Sequence, residues 1–208
     1  MTSIEATLKS EEEGDERVHA LTRGIAQAVT IKDGEIFLLT SENGEIPGKP
    51  GHGLGLYLHD TRFLSGYSLR LNGAPMECLG VVQDAGCEAL FQMANFPLVT
   101  PEGLRLDKLA LGLDWKRQLD GESLQLRETL TFHNYRPTEV RVPVTLRFVA
   151  QFRDIFQVRG LYPEEDGTRH EPCWQDEELV FGYEGLDGVY RETRVSFTAR
   201  PAAKTQQE

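Results

Sequence analysis

The chain has 208 residues, enough for one large β domain or two small ones, and an ordinary globular composition of 39% hydrophobic and 26% charged residues. Its 33 acidic and 22 basic residues give a formal net charge of −11. Such a surface repels nucleic-acid phosphate and anionic lipid, but leaves open neutral sugars, which bind by hydrogen bonds and ring stacking.

No apolar run approaches the roughly 20 residues a bilayer span requires. The N-terminus lacks the basic and apolar regions of a secretory leader. Cys78, Cys87 and Cys173 show no CxxC spacing and read as reduced thiols of a cytoplasmic protein. Residues 1–20, with Glu11-Glu12-Glu13 and Asp15-Glu16, read as a disordered, solvated acidic tail. Residues 21–200 read as a single β-sandwich domain, and 201–208 as a polar tail or linker.

Ala26 to Ile31 and Glu35 to Thr40 flank Lys32-Asp33-Gly34, and the Asp-Gly predicts a tight hairpin turn. Ser41 to His52 holds five Gly and Pro residues and cannot continue a regular element. Asn72-Gly73 predicts a second hairpin, with Leu69 opposite Met76 and Tyr67 opposite Cys78. Asp120-Gly121 predicts a third, with Trp115 opposite Leu126, Leu111 opposite Leu130 and Leu109 opposite Phe132. That register makes one apolar face, on which Glu128 opposite Leu113 is the single discord. Thr138 to Ala150 alternates, with Val140, Val142, Val144, Leu146, Phe148 and Ala150 on one face. Further strands are predicted at Glu178–Tyr183 and Val189–Ala199. There is no amphipathic helix of ten residues or more. Long strands joined by hairpins predict an all-β fold, a large antiparallel sandwich.

The densest segment runs from Gly53 to Ser65. It packs glycines, aromatics, an acid and a base into what reads as a loop leading straight into a strand, the kind of place where function sits on a rigid scaffold. Gly51, Gly53 and Gly55 open no helix, so they do not form a phosphate cradle. Asp60 and Arg62 lie two apart and in an extended stretch share a side. They are either an ion pair or cap that pins the loop, or a polar cluster offered to a ligand or a neighbouring domain. On the second reading Arg62 is expected to reach an interdomain groove or a sugar hydroxyl. Tyr57 and Phe63 suit either sugar stacking or the core, and His52 and His59 read as hydrogen-bonding loop histidines.

A second dense segment spans Phe152 to Gly160, where Asp154 and Arg159 read as charges that tie a strand end to its neighbour. His133-Asn134-Tyr135-Arg136-Pro137 is a turn. Glu164, Glu165 and Asp166 read as a solvated loop. Nothing singles out the carboxylate pair of a glycosidase or a Gly-x-Ser-x-Gly nucleophile. His170 and Cys173 do not make a zinc site. No catalytic residue, metal or cofactor is assigned.

Gly55-Leu56-Tyr57-Leu58-His59-Asp60-Thr61-Arg62-Phe63-Leu64-Ser65, followed by Leu69-Arg70-Leu71-Asn72-Gly73, resembles the opening of the N-terminal domain of bacterial and archaeal glycogen-debranching-type (amylo-alpha-1,6-glucosidase-like) enzymes. The family pattern continues with aromatic-Asn-Tyr, matched in part by His133-Asn134-Tyr135, and with Asp-aliphatic-Phe-Glu-Val-Arg-Gly, matched by Asp154 to Gly160 with Gln157 in place of the Glu. The resemblance covers about residues 24–200. It implies a β-supersandwich that packs on a helical (α/α)6 catalytic domain of the same enzyme and helps to hold an oligosaccharide or polysaccharide. The candidate substrate-rim or interdomain residues are Tyr57, His59, Asp60, Thr61, Arg62, Asp154 and Arg159. The alternatives are a stand-alone sugar-binding or interaction module, and a different glycoside hydrolase of the same two-domain architecture.

Overall fold

The computed structural model describes residues 27–49, 51–161 and 165–204. The predicted acidic tail, Ala26 and Glu164 lie outside them. The alternating, β-branched and aromatic-rich stretches form strands throughout. In chain order these are β1 (Val29–Asp33), β2 (Ile36–Thr40), β3 (Gly55–Leu58), β4 (Thr61–Leu64), β5 (Gly66–Leu71), β6 (Met76–Asp84), β7 (Glu88–Asn95), β8 (Leu98–Val99) and β9 (Arg105–Leu106). They continue with β10 (Leu111–Asp120), β11 (Gln125–Asn134), β12 (Val144–Val149), β13 (Arg153–Asp154), β14 (Thr168–Arg169), β15 (Cys173–Gln175), β16 (Glu178–Glu184) and β17 (Tyr190–Val195). The helix among the described residues is a single turn, Ile155–Val158.

All the pairings are antiparallel, and the chain is an all-β sandwich. One sheet runs β1-β2-β3-β4-β13 and a second β11-β10-β7-β6. A ladder of β12 and β5 lies between them in sequence, and a smaller sheet joins β14, β15 and β17 to β16. The main core takes Ile31, Ile36, Leu38 and Leu64 from the first sheet, Phe91, Leu113, Trp115 and Leu119 from the second, and Leu69 and Leu71 from β5. A second cluster of Phe152, Phe181 and Tyr183, with Phe63 packed on it, joins the first sheet to the smaller one.

The first hairpin forms, with Asp33 paired to Ile36 across Gly34-Glu35. The Asn72-Gly73 turn forms as well, but its predicted register stops after one bridge, Leu71 to Ala74. Leu69 and Tyr67 face Leu146 and Phe148 of β12 rather than Met76 and Cys78, and Met76 pairs with Asn95 of β7. The turn therefore carries the chain from one ladder to another. Partners distant in sequence outcompete the local one, which a local signal cannot reveal. Strand β7 itself has no counterpart in the sequence reading.

The third hairpin has the predicted faces and a different register. Trp115 is opposite Leu130, Leu119 opposite Leu126, Leu113 opposite Phe132 and Leu111 opposite Asn134. Gly121 to Leu124 make a four-residue loop rather than a two-residue turn. The Asp120 carboxylate accepts from the N–H groups of Glu122 and Ser123, and Leu124 takes a left-handed φ of 54°. An Asp that folds its side chain over the following amides favours this longer loop. The displacement is even, so Trp115 still faces the core, wholly buried.

The new register removes the discord at Glu128, which now sits opposite Arg117. The Arg117 side chain is completely buried and its Nε lies 2.5 Å from Glu128 Oε1. Its guanidinium lies 3.9 Å from the Trp115 ring centroid and 5.1 Å from that of Tyr67, and it also donates to the Gly44 carbonyl. The Tyr67 hydroxyl donates to the other Glu128 oxygen. Burial, then the Glu128 charge, push the Tyr67 phenol well above its ordinary pKa. A cation inside an aromatic cage with a carboxylate at its end is how a buried charge is tolerated.

The strand predicted over Thr138–Ala150 pairs only from Val144, because β5 ends at Leu71 and the turn begins there. Val140, Val142, Leu146 and Phe148 do pack on the core, while Val144 is exposed. β16 matches its predicted strand to within one residue, and β17 is shorter than its own, ending at Val195.

Candidate functional site

Gly53 to Ser65 is not a loop entering a strand. Gly55–Leu58 and Thr61–Leu64 are the two arms of a hairpin, closed by His59-Asp60 with His59 at a φ of 50°. Asp60 lies exposed in that turn, so it does not share an extended stretch with Arg62. The register shifts within the hairpin: Tyr57 pairs with Arg62 and Leu56 with Leu64, leaving Phe63 as the extra residue. A β-bulge of this kind turns side chains two residues apart onto opposite faces. Leu64 joins the main core, whereas Arg62 lies in a cross-strand row with Tyr57 and Phe37 on the other face.

On that face the side chains meet the main chain of residues 52–54. Arg62 is only 4% exposed. Its Nη1 donates to the carbonyl of His52 at 2.9 Å and of Leu54 at 3.4 Å, and its Nη2 donates to Gln151 Oε1 at 3.2 Å. The stem of the side chain crosses Gly55, where a Cβ would come within 2.6 Å of Arg62 Cδ, so only glycine fits. Tyr57 is buried, stacks on Phe37 with ring centroids 4.9 Å apart, and donates its hydroxyl to the Gly53 carbonyl at 2.9 Å. His52 ties the segment to itself. Its Nδ1 accepts from the Leu54 N–H at 3.1 Å, so its Nε2 carries the proton toward the Pro47 carbonyl at 2.5 Å. Burial, followed by the nearby Arg62 charge, holds this imidazole below its ordinary value of 6.5.

The two dense segments meet here. β13 pairs with β4, placing Asp154 opposite Thr61 and Arg153 opposite Arg62. Thr61 is half-buried. Asp154 caps the one-turn helix: its carboxylate accepts from the Gln157 N–H at 2.8 Å, and the Gln157 side chain accepts from the Asp154 N–H at 3.0 Å. A reciprocal capping box works with Gln or Glu at the third helical position, so Gln157 can fill the place that Glu has in the pattern. Arg159 is the C-cap and its side chain is exposed. Two apolar side chains stand out beside it, Phe156 at 58% and Leu161 at 66% exposure.

The candidate residues thus divide into two layers. Tyr57, Arg62 and Asp154 work inward on the backbone, while His59, Asp60 and Arg159 are presented to solvent at one end of the sheet. His59 is 3.7 Å from Glu35 across the neighbouring turn. Gln151 is the contributor that the sequence reading missed. It contacts Arg62 from 89 residues away, and no local pattern announces it. A cleft of about 210 Å³ opens between Glu45–Lys49, β5 and β12, with Lys49, Arg70 and Arg147 in its wall. Arg70 there is ion-paired to Glu45.

No helix among the described residues is long and apolar enough to cross a membrane. No curated protein and no solved structure matches the chain. A family described as the N-terminal domain of (some) glycogen debranching enzymes matches residues 31–208, which takes in the hairpin, the capped turn and every sheet described above except the first two residues of β1. The chain belongs to that family of glycogen debranching enzyme N-terminal domains.

Proposed function

We propose that this domain is the non-catalytic N-terminal β-sandwich of a cytoplasmic glycogen-debranching-type glycoside hydrolase, packing on a helical (α/α)6 barrel of the same enzyme and shaping the rim of its active site. The observation that carries this reading is the meeting of the two family-like segments at β4 and β13. Their inner residues are spent on fixing the backbone. Their outer residues combine hydrogen-bonding groups (His59, Asp60, Arg159) with exposed Phe156 and Leu161. Apolar side chains rimmed by polar ones suit a domain interface. A strand end with a pinned loop behind it presents side chains accurately enough to complete a site on another domain.

Hydrogen exchange tests this directly. In the two-domain enzyme, amides of residues 59–62 and 153–161 gain protection relative to the 208-residue chain. Equal protection in both would remove this surface as the interface. The 208-residue chain alone is expected to turn over no malto-oligosaccharide, and hydrolysis that one point substitution abolishes would refute the non-catalytic assignment.

A further inference from the structure

The His133-Asn134-Tyr135 motif lies on a different sheet, at the end of β11. Asn134 is used in shaping the turn: its Nδ2 donates to the Thr138 carbonyl at 2.8 Å and its Oδ1 accepts from the Arg136 N–H at 3.1 Å. Tyr135 does something else. Its side chain is 68% exposed, yet it is not loose. Its N–H donates to the Ala110 carbonyl at 3.1 Å, and its phenol end lies over Gly112 of β10, where a Cβ would come within 2.8 Å of the hydroxyl. Its ring is nearly parallel to the His133 imidazole, 12° apart with centroids at 6.1 Å. His133 Nε2 is in turn 3.1 Å from Asp114 Oδ2. The result is an aromatic shelf held against the outer face of the second sheet.

Beside the shelf runs a row of polar side chains in register. Thr131 on β11, Asp114 on β10 and Gln92 on β7 are successive Cα partners. Antiparallel strands are about 4.8 Å apart, and residues directly opposite share a face. Thr131 and Gln92 are exposed, and Asp114 and His133 are each 39% exposed. A hydroxyl, a carboxylate and a carboxamide thus line up next to a flat apolar ring that faces water. An aromatic face matches the C–H face of a pyranose, and carboxylate and amide groups bind its hydroxyls with some directionality. Neither feature requires charge on the ligand, in keeping with a chain of net charge −11.

We infer that this face, formed by Tyr135, His133, Asp114, Thr131 and Gln92, is a binding site for a neutral α-glucan chain. The inference rests on the reading of the chain as part of a glycogen-acting enzyme, whose substrate is a polymer of such chains. It assigns the domain a hold on the polymer in addition to the rim role.

The test is calorimetric titration of the 208-residue chain with maltoheptaose, supported by retardation in native gels containing glycogen. Saturable binding is expected, and Tyr135→Ala weakens it about tenfold, the scale of one aromatic stacking contact with its buried area. Asp114→Ala weakens it several-fold. Gly112→Ala, which displaces the ring without removing it, also weakens binding. Tyr135 is exposed, so its variant keeps the wild-type melting temperature, and Leu186→Ala, at an exposed leucine of the β16–β17 turn, leaves binding unchanged. No saturable binding by the parent chain, or equal binding by the Tyr135→Ala and Asp114→Ala variants, overturns the site. Loss of interdomain protection in Tyr135→Ala with no sugar binding by the parent would make the shelf a protein contact instead. The hydrogen-exchange result at residues 59–62 is independent of all these outcomes, so the two proposals fail separately.

Discussion

Arg117 and Arg62 are both withdrawn from water, and the fold accommodates them in different ways. Arg117 sits between the sheets, with a carboxylate at its end and aromatic faces around it. Arg62 lies beneath a surface segment and directs its guanidinium at main-chain carbonyls and a side-chain amide. Arg117 joins β10 to β11 and β5 and so belongs to the whole sandwich. Arg62 joins residues 52–54 to the hairpin and to Gln151, and so fixes one end of one sheet. A buried cation can therefore serve either global stability or local placement, depending on what surrounds it.

The largest effect follows from the first of these. Glu128→Ala leaves Arg117 charged, buried and without its carboxylate, and also strips the Tyr67 hydroxyl of its acceptor. Breaking a buried pair in this way costs about 3–5 kcal/mol. Urea unfolding should show that loss, while the double variant Arg117→Met, Glu128→Leu recovers much of it. A loss within experimental error for Glu128→Ala would mean that Arg117 is not held as described.

Arg62→Ala is expected to cost less, about 1–3 kcal/mol, because it deprives carbonyls of a charged donor under a loop that can partly admit water. Its signature is local, with faster amide exchange in residues 52–55 and little change in β10 and β11. Uniform loss of protection across the sandwich would erase the contrast between the two arginines.

Asp154→Ala removes the cap of a one-turn helix and should cost about 1 kcal/mol. Asp154→Asn retains an acceptor and most of the stability.

The smallest expected effect is one of pH. The folded pKa of His52 is lowered, so below about 6.5 the unfolded chain binds a proton that the folded ring does not. Its contribution is complete above that pH and is lost as pH falls toward the folded value. Parent and His52→Gln melting temperatures should therefore diverge in their pH dependence below 6.5, with the variant flatter. Parallel profiles would place the imidazole in water rather than in the loop.

Particular residues explain what could be read in advance. The first hairpin was legible because Asp33-Gly34 is a strong local signal and its strands pair with each other. At Asp120-Gly121 the faces were legible and the register was not, since the pattern repeats every two residues and tolerates any even displacement. The misfit at Glu128 marked the error, and moving the strand by four residues brings it to Arg117. At Asn72-Gly73 the turn was legible while the partners β12 and β7 were hidden by their distance in sequence. The site was legible as two segments. Their meeting, and the inward course of Arg62, depend on the bulge at Phe63 and on Gln151, which leave no periodic trace.

The central claim is that the outer layer of the hairpin site acts on substrate or on the partner domain while the inner layer only places it. Measuring kcat/KM and melting temperature together, in the full-length enzyme, for Asp60→Ala, Arg159→Ala and Arg62→Ala tests this most directly. The account predicts that Asp60→Ala and Arg159→Ala lower kcat/KM for a branched oligosaccharide at unchanged melting temperature, and that Arg62→Ala lowers the melting temperature. Full activity per folded molecule in both Asp60→Ala and Arg159→Ala would contradict it and leave the hairpin as scaffolding alone.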